Sequence, residues 1–318
     1  MRIVILDSFP ADQGDTQAWS ELSGLGDVAI YPRTSGDELV ARCAGADALL
    51  TNKVVVDSAV IAQLPDLKYI GVTATGTNVV SLDAAGERGI VVANVPAYST
   101  ASVAQLVFAY ILHFASAVTL HDGAVKAGQW AGCRDFSFLS APIHELAGKT
   151  LVTVGTGAIG SAVAAIGAAF GMRHIAAAAP GSPTPGRVPL EEALPQADYV
   201  SLHCPLTPQT QHLVNDAFLR QMKRTAYLIN TGRGPLVDEA ALAAALANGL
   251  IAGAAVDVLS QEPPSAGSLL LEANAPWASR LIVTPHIGWA TTEARARLIA
   301  ETIENVRAFA AGKVRNRV

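Results

Sequence analysis

The chain is poor in charge. Only 15% of its 318 residues are Asp, Glu, Lys or Arg, against about 25% in a typical globular domain. The net charge is −5. No run of Lys or Arg forms a basic stripe, so nucleic acid is not an expected partner. Cysteine is scarce as well. Cys43, Cys133 and Cys204 lie far apart and form no Cys-x-x-Cys pair. An odd, scattered set reads as reduced thiols of a cytoplasmic protein. No metal ligand set is assigned. The opening MRIVILDSFP starts as a strand and turns acidic too soon for a secretory signal.

Apolar residues are abundant, at 51%. They imply much buried surface, a subunit interface included. Residues 101–120 carry no charged side chain, and about 20 apolar residues suffice to span a bilayer. Ser102, Gln105, His113, Ser116 and Thr119 interrupt this stretch, and no Lys/Arg cluster flanks it. One long buried or interface helix is expected there, and no membrane partner.

Short apolar runs alternate with helix-like segments from end to end. Residues 3–6, 48–50, 69–72 and 91–92 read as strands of a first unit, with helices at 58–64 and 81–89. A second series has strands at 150–154, 174–179, 199–203, 226–230, 253–258 and 281–284. Helices are expected at 158–170 and 238–248, and a last one at 291–312 that returns to the first unit. Such alternation predicts parallel sheets with crossover helices. The expected fold is α/β, with two Rossmann-like doubly wound domains and an interdomain cleft. Residues 1–98 plus 288–318 form a discontinuous substrate domain, and 99–287 a dinucleotide-binding domain.

Gly155-Thr-Gly157-Ala158-Ile159-Gly160 follows a strand and opens a helix. Gly155 permits the tight turn, Gly157 lets a pyrophosphate approach, and Gly160 lets helix pack on strand. The helix N-terminus offers N–H groups and partial positive charge to phosphate. A carboxylate is expected about 20 residues on, to bind the ribose hydroxyls. The position reached is Ala178. Its lack of charge permits a 2′-phosphate without demonstrating one. Ser182 and Arg187 are the nearest polar candidates, and NAD or NADP stays open as the cofactor.

Three later blocks carry the chemistry: NTGRG at 230–234, DVLSQEP at 257–263 and TPHIGW at 284–289. Each sets one functional side chain among residues that shape backbone. Arg233, Glu262 and His286 are the parts needed to hold a 2-oxo acid and protonate its carbonyl. A guanidinium fork suits a carboxylate better than an ammonium does. Imidazole titrates near neutrality, as proton transfer at that pH requires. Each alone has a plainer role: a surface ion pair, a turn residue before Pro263, a core histidine.

With GTGAIG, LHCPLTPQT at 202–210, VDVLSQEP at 256–263 and TPHIGWAT at 284–291, essentially the whole chain resembles the D-isomer-specific 2-hydroxyacid dehydrogenase family. TNK at 51–53 and YIGVTATGTN at 69–78 resemble its glyoxylate/hydroxypyruvate reductase branch, also called glycerate dehydrogenases. The resemblance implies that Arg233 pairs with the substrate carboxylate and C2 oxygen. His286 would be the general acid in reduction, and Glu262 would hold its ring. Backbone N–H groups around Thr75 and Gly76 would receive the carboxylate, with Lys53 lining the pocket. Trp289 would wall that pocket or fill core. Asp257 would meet the nicotinamide carboxamide or hold the cofactor side, together with His203, Pro205, Thr231, Gly232 and Gly288. The D configuration of the product rests on resemblance alone.

Gln105 departs from the Glu of many relatives, and the stretch 180–189 is short. Rival readings are a phosphoglycerate dehydrogenase, a formate dehydrogenase, an NAD-sensing corepressor and a silent NAD(P)-binding protein. Glu262 argues against the second. For the first, no residues remain after Val318 for an added regulatory domain. A homodimer is expected through 101–147, with Trp130, Phe136 and Phe138 on its surface.

Overall fold

The computed structural model describes residues 1–181 and 185–318. The chain divides into two units, Met1–Ser99 with Trp289–Val318, and Thr100–Gly288.

The first unit holds strands β1 (Arg2–Ile5), β2 (Asp27–Ile30), β3 (Ala48–Thr51), β4 (Tyr69–Val72) and β5 (Val91–Ala93). Their order is β2-β1-β3-β4-β5, all parallel. Side chains alternate across a strand, so each sheet face builds its own core. Val4, Leu49, Ile70 and Val92 pack with Leu39 and Ile61 on one face. Ile3, Ile5, Leu50 and Tyr69 pack on the other with Trp19, Leu298, Ile303 and Val306. The last three belong to helix Thr292–Ala310, which does return to the first unit. Thr291 starts this helix by accepting Ala294 N–H at 3.2 Å. Strand β2 was not expected from the sequence. It is a four-residue edge strand with no fully buried residue, so its pattern carries little signal.

The second unit holds β6 (Thr150–Val154), β7 (Arg173–Ala177), β8 (Tyr199–Leu202), β9 (Tyr227–Asn230), β10 (Gly253–Val256) and β11 (Leu281–Val283). Their order is β11-β10-β9-β8-β6-β7, again parallel. The direction of winding reverses at β6. In open α/β sheets ligands bind beyond the carboxyl ends of the strands at such a reversal. Val152, Val154, Leu202 and Leu228 face one core. Leu151, Tyr199 and Ile229 face the other, together with Val107, Phe108 and Ile111 of helix Thr100–Ser116.

The uncharged stretch 101–120 is not one helix, contrary to expectation. Helix Thr100–Ser116 stops, Ala117 turns left-handed (φ 48°), and helix Val118–Lys126 starts at a 56° bend. The backbone of His144 donates to Ala115 O at 2.8 Å, satisfying a carbonyl that a helix end leaves open. Much of the first helix is buried, Ser102, Val107, Tyr110 and Ile111 included. Among the described residues no single helix is long and apolar enough to cross a membrane.

Candidate active site

The chain leaves β6 through Gly155 at φ +101°. A Cβ there would sit 2.6 Å from His203 C, and one at Gly160 would sit 2.2 Å from Gly155 O. At Gly157 an added Cβ would meet nothing within 4 Å. Gly157 is the N-cap of helix Ala158–Ala169, and no side chain caps that helix. Its first-turn N–H groups, those of Ala158 and Ile159 included, are left for an anion. The open space before an uncapped helix N-terminus fits a dinucleotide pyrophosphate.

Other residues expected on the cofactor side follow β8 and β9. His203 packs beneath it, its Nε2 2.9 Å from Ser201 Oγ. Burial pushes the imidazole pKa down to about 4, so the ring is neutral near pH 7. Pro205 O accepts the Thr210 hydroxyl at 2.7 Å. Gly232 N–H donates to Asn230 Oδ1 at 3.0 Å. The Thr231 hydroxyl is buried without a hydrogen-bond partner among the described residues.

Arg233 follows β9, Glu262 follows β10 and His286 follows β11, so all three occupy the carboxyl side of one sheet. His286 Nδ1 is 2.6 Å from Glu262 Oε2. Glu262 Oε1 accepts Leu259 N–H at 3.0 Å. The Arg233 loop is built against the same residue: a Cβ on Gly234 would fall 2.0 Å from Leu259 O. Only glycine permits that approach. Asn230, fully buried, donates from Nδ2 to Arg233 O at 2.9 Å and so fixes the loop from below. The Arg233 guanidinium is half-buried and donates to Gly232 O at 2.8 Å. Glu239 adds a link by accepting Ser260 N–H at 2.7 Å.

Asp257 is the clamp of the His286 loop. It is 2% exposed and accepts Ile287 N–H at 2.9 Å and Gly288 N–H at 2.7 Å. It also accepts the Thr284 hydroxyl, which in turn meets that of Tyr110. Burial raises the Asp257 pKa above the usual carboxylate range, against these hydrogen bonds. His286 itself sits in the left-handed region at φ 54°, its N–H bonded to Asp257 O at 2.8 Å. Ser102 donates to Gly288 O at 2.5 Å, which ties Gly288 to the second unit.

The remaining expected residues lie in the first unit. Lys53 is exposed, and its N–H donates to Asp7 Oδ2 at 2.6 Å. Thr75 bonds Val95 O through its hydroxyl at 2.9 Å and receives Asn94 Nδ2 on its carbonyl at 2.7 Å. Gly76 follows in the same loop after β4. Trp289 is half-buried, meets Tyr98 edge-on at 6.5 Å and packs on the first-unit core.

Sequence reasoning did not single out Asp7. It is 8% exposed and also accepts Asn52 N–H at 2.7 Å and Val54 N–H at 3.2 Å. Burial raises its pKa despite these bonds. Its signal was an acid placed just after β1. Asp7 and Lys53 line one side of a cavity of about 310 Å³, with Phe9, Arg33 and Val54. Ala178, expected to face the ribose, lies just past β7 and offers no side-chain polar group. Ser182 lies outside the described residues. Arg187 Nη2 donates to Thr156 Oγ1 at 2.7 Å.

A phosphate-ready loop at the winding reversal, with an acid–base pair and an arginine on the same sheet, is the apparatus of a dinucleotide-dependent oxidoreductase. Comparison with known proteins gives the family. Residues 108–288 match the family described as D-isomer specific 2-hydroxyacid dehydrogenase, NAD binding domain. The chain belongs to the D-isomer specific 2-hydroxyacid dehydrogenase family. It is 43% identical to a glycerate dehydrogenase of Methylorubrum extorquens, over 88% of each chain. It is 38% identical to a hydroxypyruvate reductase of Blautia hydrogenotrophica, over 98% of each. A crystal structure of a Thermus thermophilus protein superposes with a TM-score of 0.87 at 35% identity, covering 100% of both chains.

Proposed function

We propose that this enzyme reduces a short 2-oxo acid, glyoxylate or hydroxypyruvate, to the D-2-hydroxy acid, and catalyses the reverse oxidation. The 2.6 Å contact between His286 Nδ1 and Glu262 Oε2 carries the reading. With Nδ1 committed to Glu262, Nε2 is the nitrogen left to hold the transferable proton. A nicotinamide cofactor, when bound, supplies the hydride. Arg233 holds the substrate carboxylate and C2 oxygen through two N–H groups and stabilises charge developing on that oxygen. His286 delivers the proton to it, and Glu262 keeps the ring aimed.

The second unit is assigned the dinucleotide, held by Gly155, Gly157, Ala158, Ile159 and Gly160, with His203, Pro205, Thr231, Gly232, Asp257 and Gly288 around it. The unpartnered Thr231 hydroxyl supports a ligand contact there. The first unit is assigned to substrate, through Lys53, Thr75 and Gly76. The names of the relatives support a hydroxypyruvate-sized acid. Three free thiols support a reduced, cytoplasmic setting. A homodimer is proposed through the segment 118–143, where Val118, Leu120, Trp130, Phe136 and Leu139 are exposed.

The test is a panel of 2-oxo acids assayed with NADH and NADPH separately. Hydroxypyruvate and glyoxylate should give the highest kcat/KM. Faster reduction of bulky or phosphorylated 2-oxo acids contradicts the substrate assignment.

A further inference from the structure

The adenosine ribose has no carboxylate partner at Ala178, and the structure puts a cation near the same strand end. The last residues of the short 180–189 stretch run alongside the end of edge strand β7. Val188 N–H donates to Ala176 O and Ala178 N–H donates to Val188 O, both at 2.9 Å. Val188 pairs in parallel with Ala177. This pairing fixes the backbone of Arg187 opposite Ala176, two residues before Ala178 at the same strand end.

The side chain is fixed at its other end. Arg187 Nη2 donates to Thr156 Oγ1 at 2.7 Å, and Thr156 sits between Gly155 and Gly157 of the phosphate-ready loop. The guanidinium therefore reaches from the β7 edge to the dinucleotide loop. Its Nε is buried with no hydrogen-bond partner among the described residues. No carboxylate pairs with Arg187 among the described residues. A buried, unsatisfied donor on a permanent cation is costly unless an anion completes it.

We propose that Arg187 binds the 2′-phosphate of NADPH and makes NADPH the preferred cofactor of this enzyme. The proposal rests on the dinucleotide reading of the second unit and signs the preference which Ala178 alone left open. An aspartate at 178 would accept the ribose hydroxyls and repel a 2′-phosphate. Alanine does neither, and Arg187 supplies the attraction. Guanidinium and phosphate form parallel charge-assisted bonds, which an ammonium matches only as a point charge.

The test is calorimetric binding of adenosine 2′,5′-diphosphate and of adenosine 5′-monophosphate, which differ only in the 2′-phosphate. Wild type should bind the diphosphate about tenfold to hundredfold more tightly. Arg187→Ala should erase that ratio and Arg187→Lys should restore part of it. The NADPH-to-NADH ratio of kcat/KM should follow the same order. Equal binding of the two nucleotides by wild type, with NADH still oxidised, overturns this proposal alone. So does an equal loss for both nucleotides in Arg187→Ala, which would mean that Arg187 only props Thr156. Failure of both nucleotides to bind wild type overturns the dinucleotide reading, and this proposal with it.

Discussion

Glu262 divides its carboxylate between His286 and its own turn. Oε2 lies 2.6 Å from His286 Nδ1, and Oε1 accepts Leu259 N–H at 3.0 Å. The second bond places the first, because it fixes which way the carboxylate faces. Glu262→Gln separates the two functions. Its amide oxygen can keep Leu259, while its NH2 group faces Nδ1 and the ring loses its anionic partner. A charge-assisted hydrogen bond contributes about 1.5–3 kcal/mol, so kcat should fall about tenfold to hundredfold. Melting temperature should stay near that of wild type. A kcat within twofold of wild type would mean that the contact is idle.

Arg233 is tied to the same turn through Gly234 and Leu259. Arg233→Ala should raise KM and lower kcat, because the fork serves both the ground-state carboxylate and the transition-state oxygen. Two lost charge-assisted bonds should lower kcat/KM by at least about 10²-fold. Arg233→Lys should recover only part, since it keeps charge without the fork. Steady-state kinetics of the three proteins decide the matter. A lysine variant equal to wild type would remove bidentate binding from the account.

His203 gives the fold an acid-sensitive point. Burial lowers its pKa from 6.5 to about 4, so between these values the unfolded chain binds more protons than the folded one. Stability therefore rises with pH through that window and is lost as pH falls from 6.5 toward 4. Between pH 7 and pH 5 the His203 contribution should drop by about 2 kcal/mol. Urea unfolding of wild type and His203→Gln at both pH values measures it. The variant should show a smaller drop, and identical drops would show that His203 is not the sensor.

The apolar surface of 118–143 should hold the dimer. Phe136 is 91% exposed, Leu139 68% and Trp130 53% in the single chain. Phe136→Glu should convert a species of twice the chain mass into monomer, as read by light scattering after size exclusion. A dimer that survives Phe136→Glu combined with Trp130→Ala places the interface elsewhere.

The parts legible in the sequence are those whose residue type is forced by backbone geometry. Gly155 and Gly160 are forced by contacts no Cβ can make, so the loop could be read with its roles. Short continuous runs of Val, Ile and Leu marked most strands because both sheet faces are buried. The break at Ala117 was illegible, since alanine does not announce a left-handed turn and His144, whose N–H takes up the Ala115 carbonyl, lies far along the chain. The Asp7 clamp was illegible because its three partners are backbone N–H groups, which no side-chain pattern reports. Arg233, Glu262 and His286 were singled out as candidates through their blocks. Leu259 and Asp257 knit those blocks together through backbone contacts that no residue pattern reports.

Single-turnover reduction of hydroxypyruvate by His286→Ala tests the proton transfer from His286 directly. General acid–base catalysis is worth about 10²- to 10⁴-fold. A loss in that range is expected, with cofactor binding and melting temperature unchanged. Turnover within twofold of wild type would contradict it and remove His286 from the proton transfer.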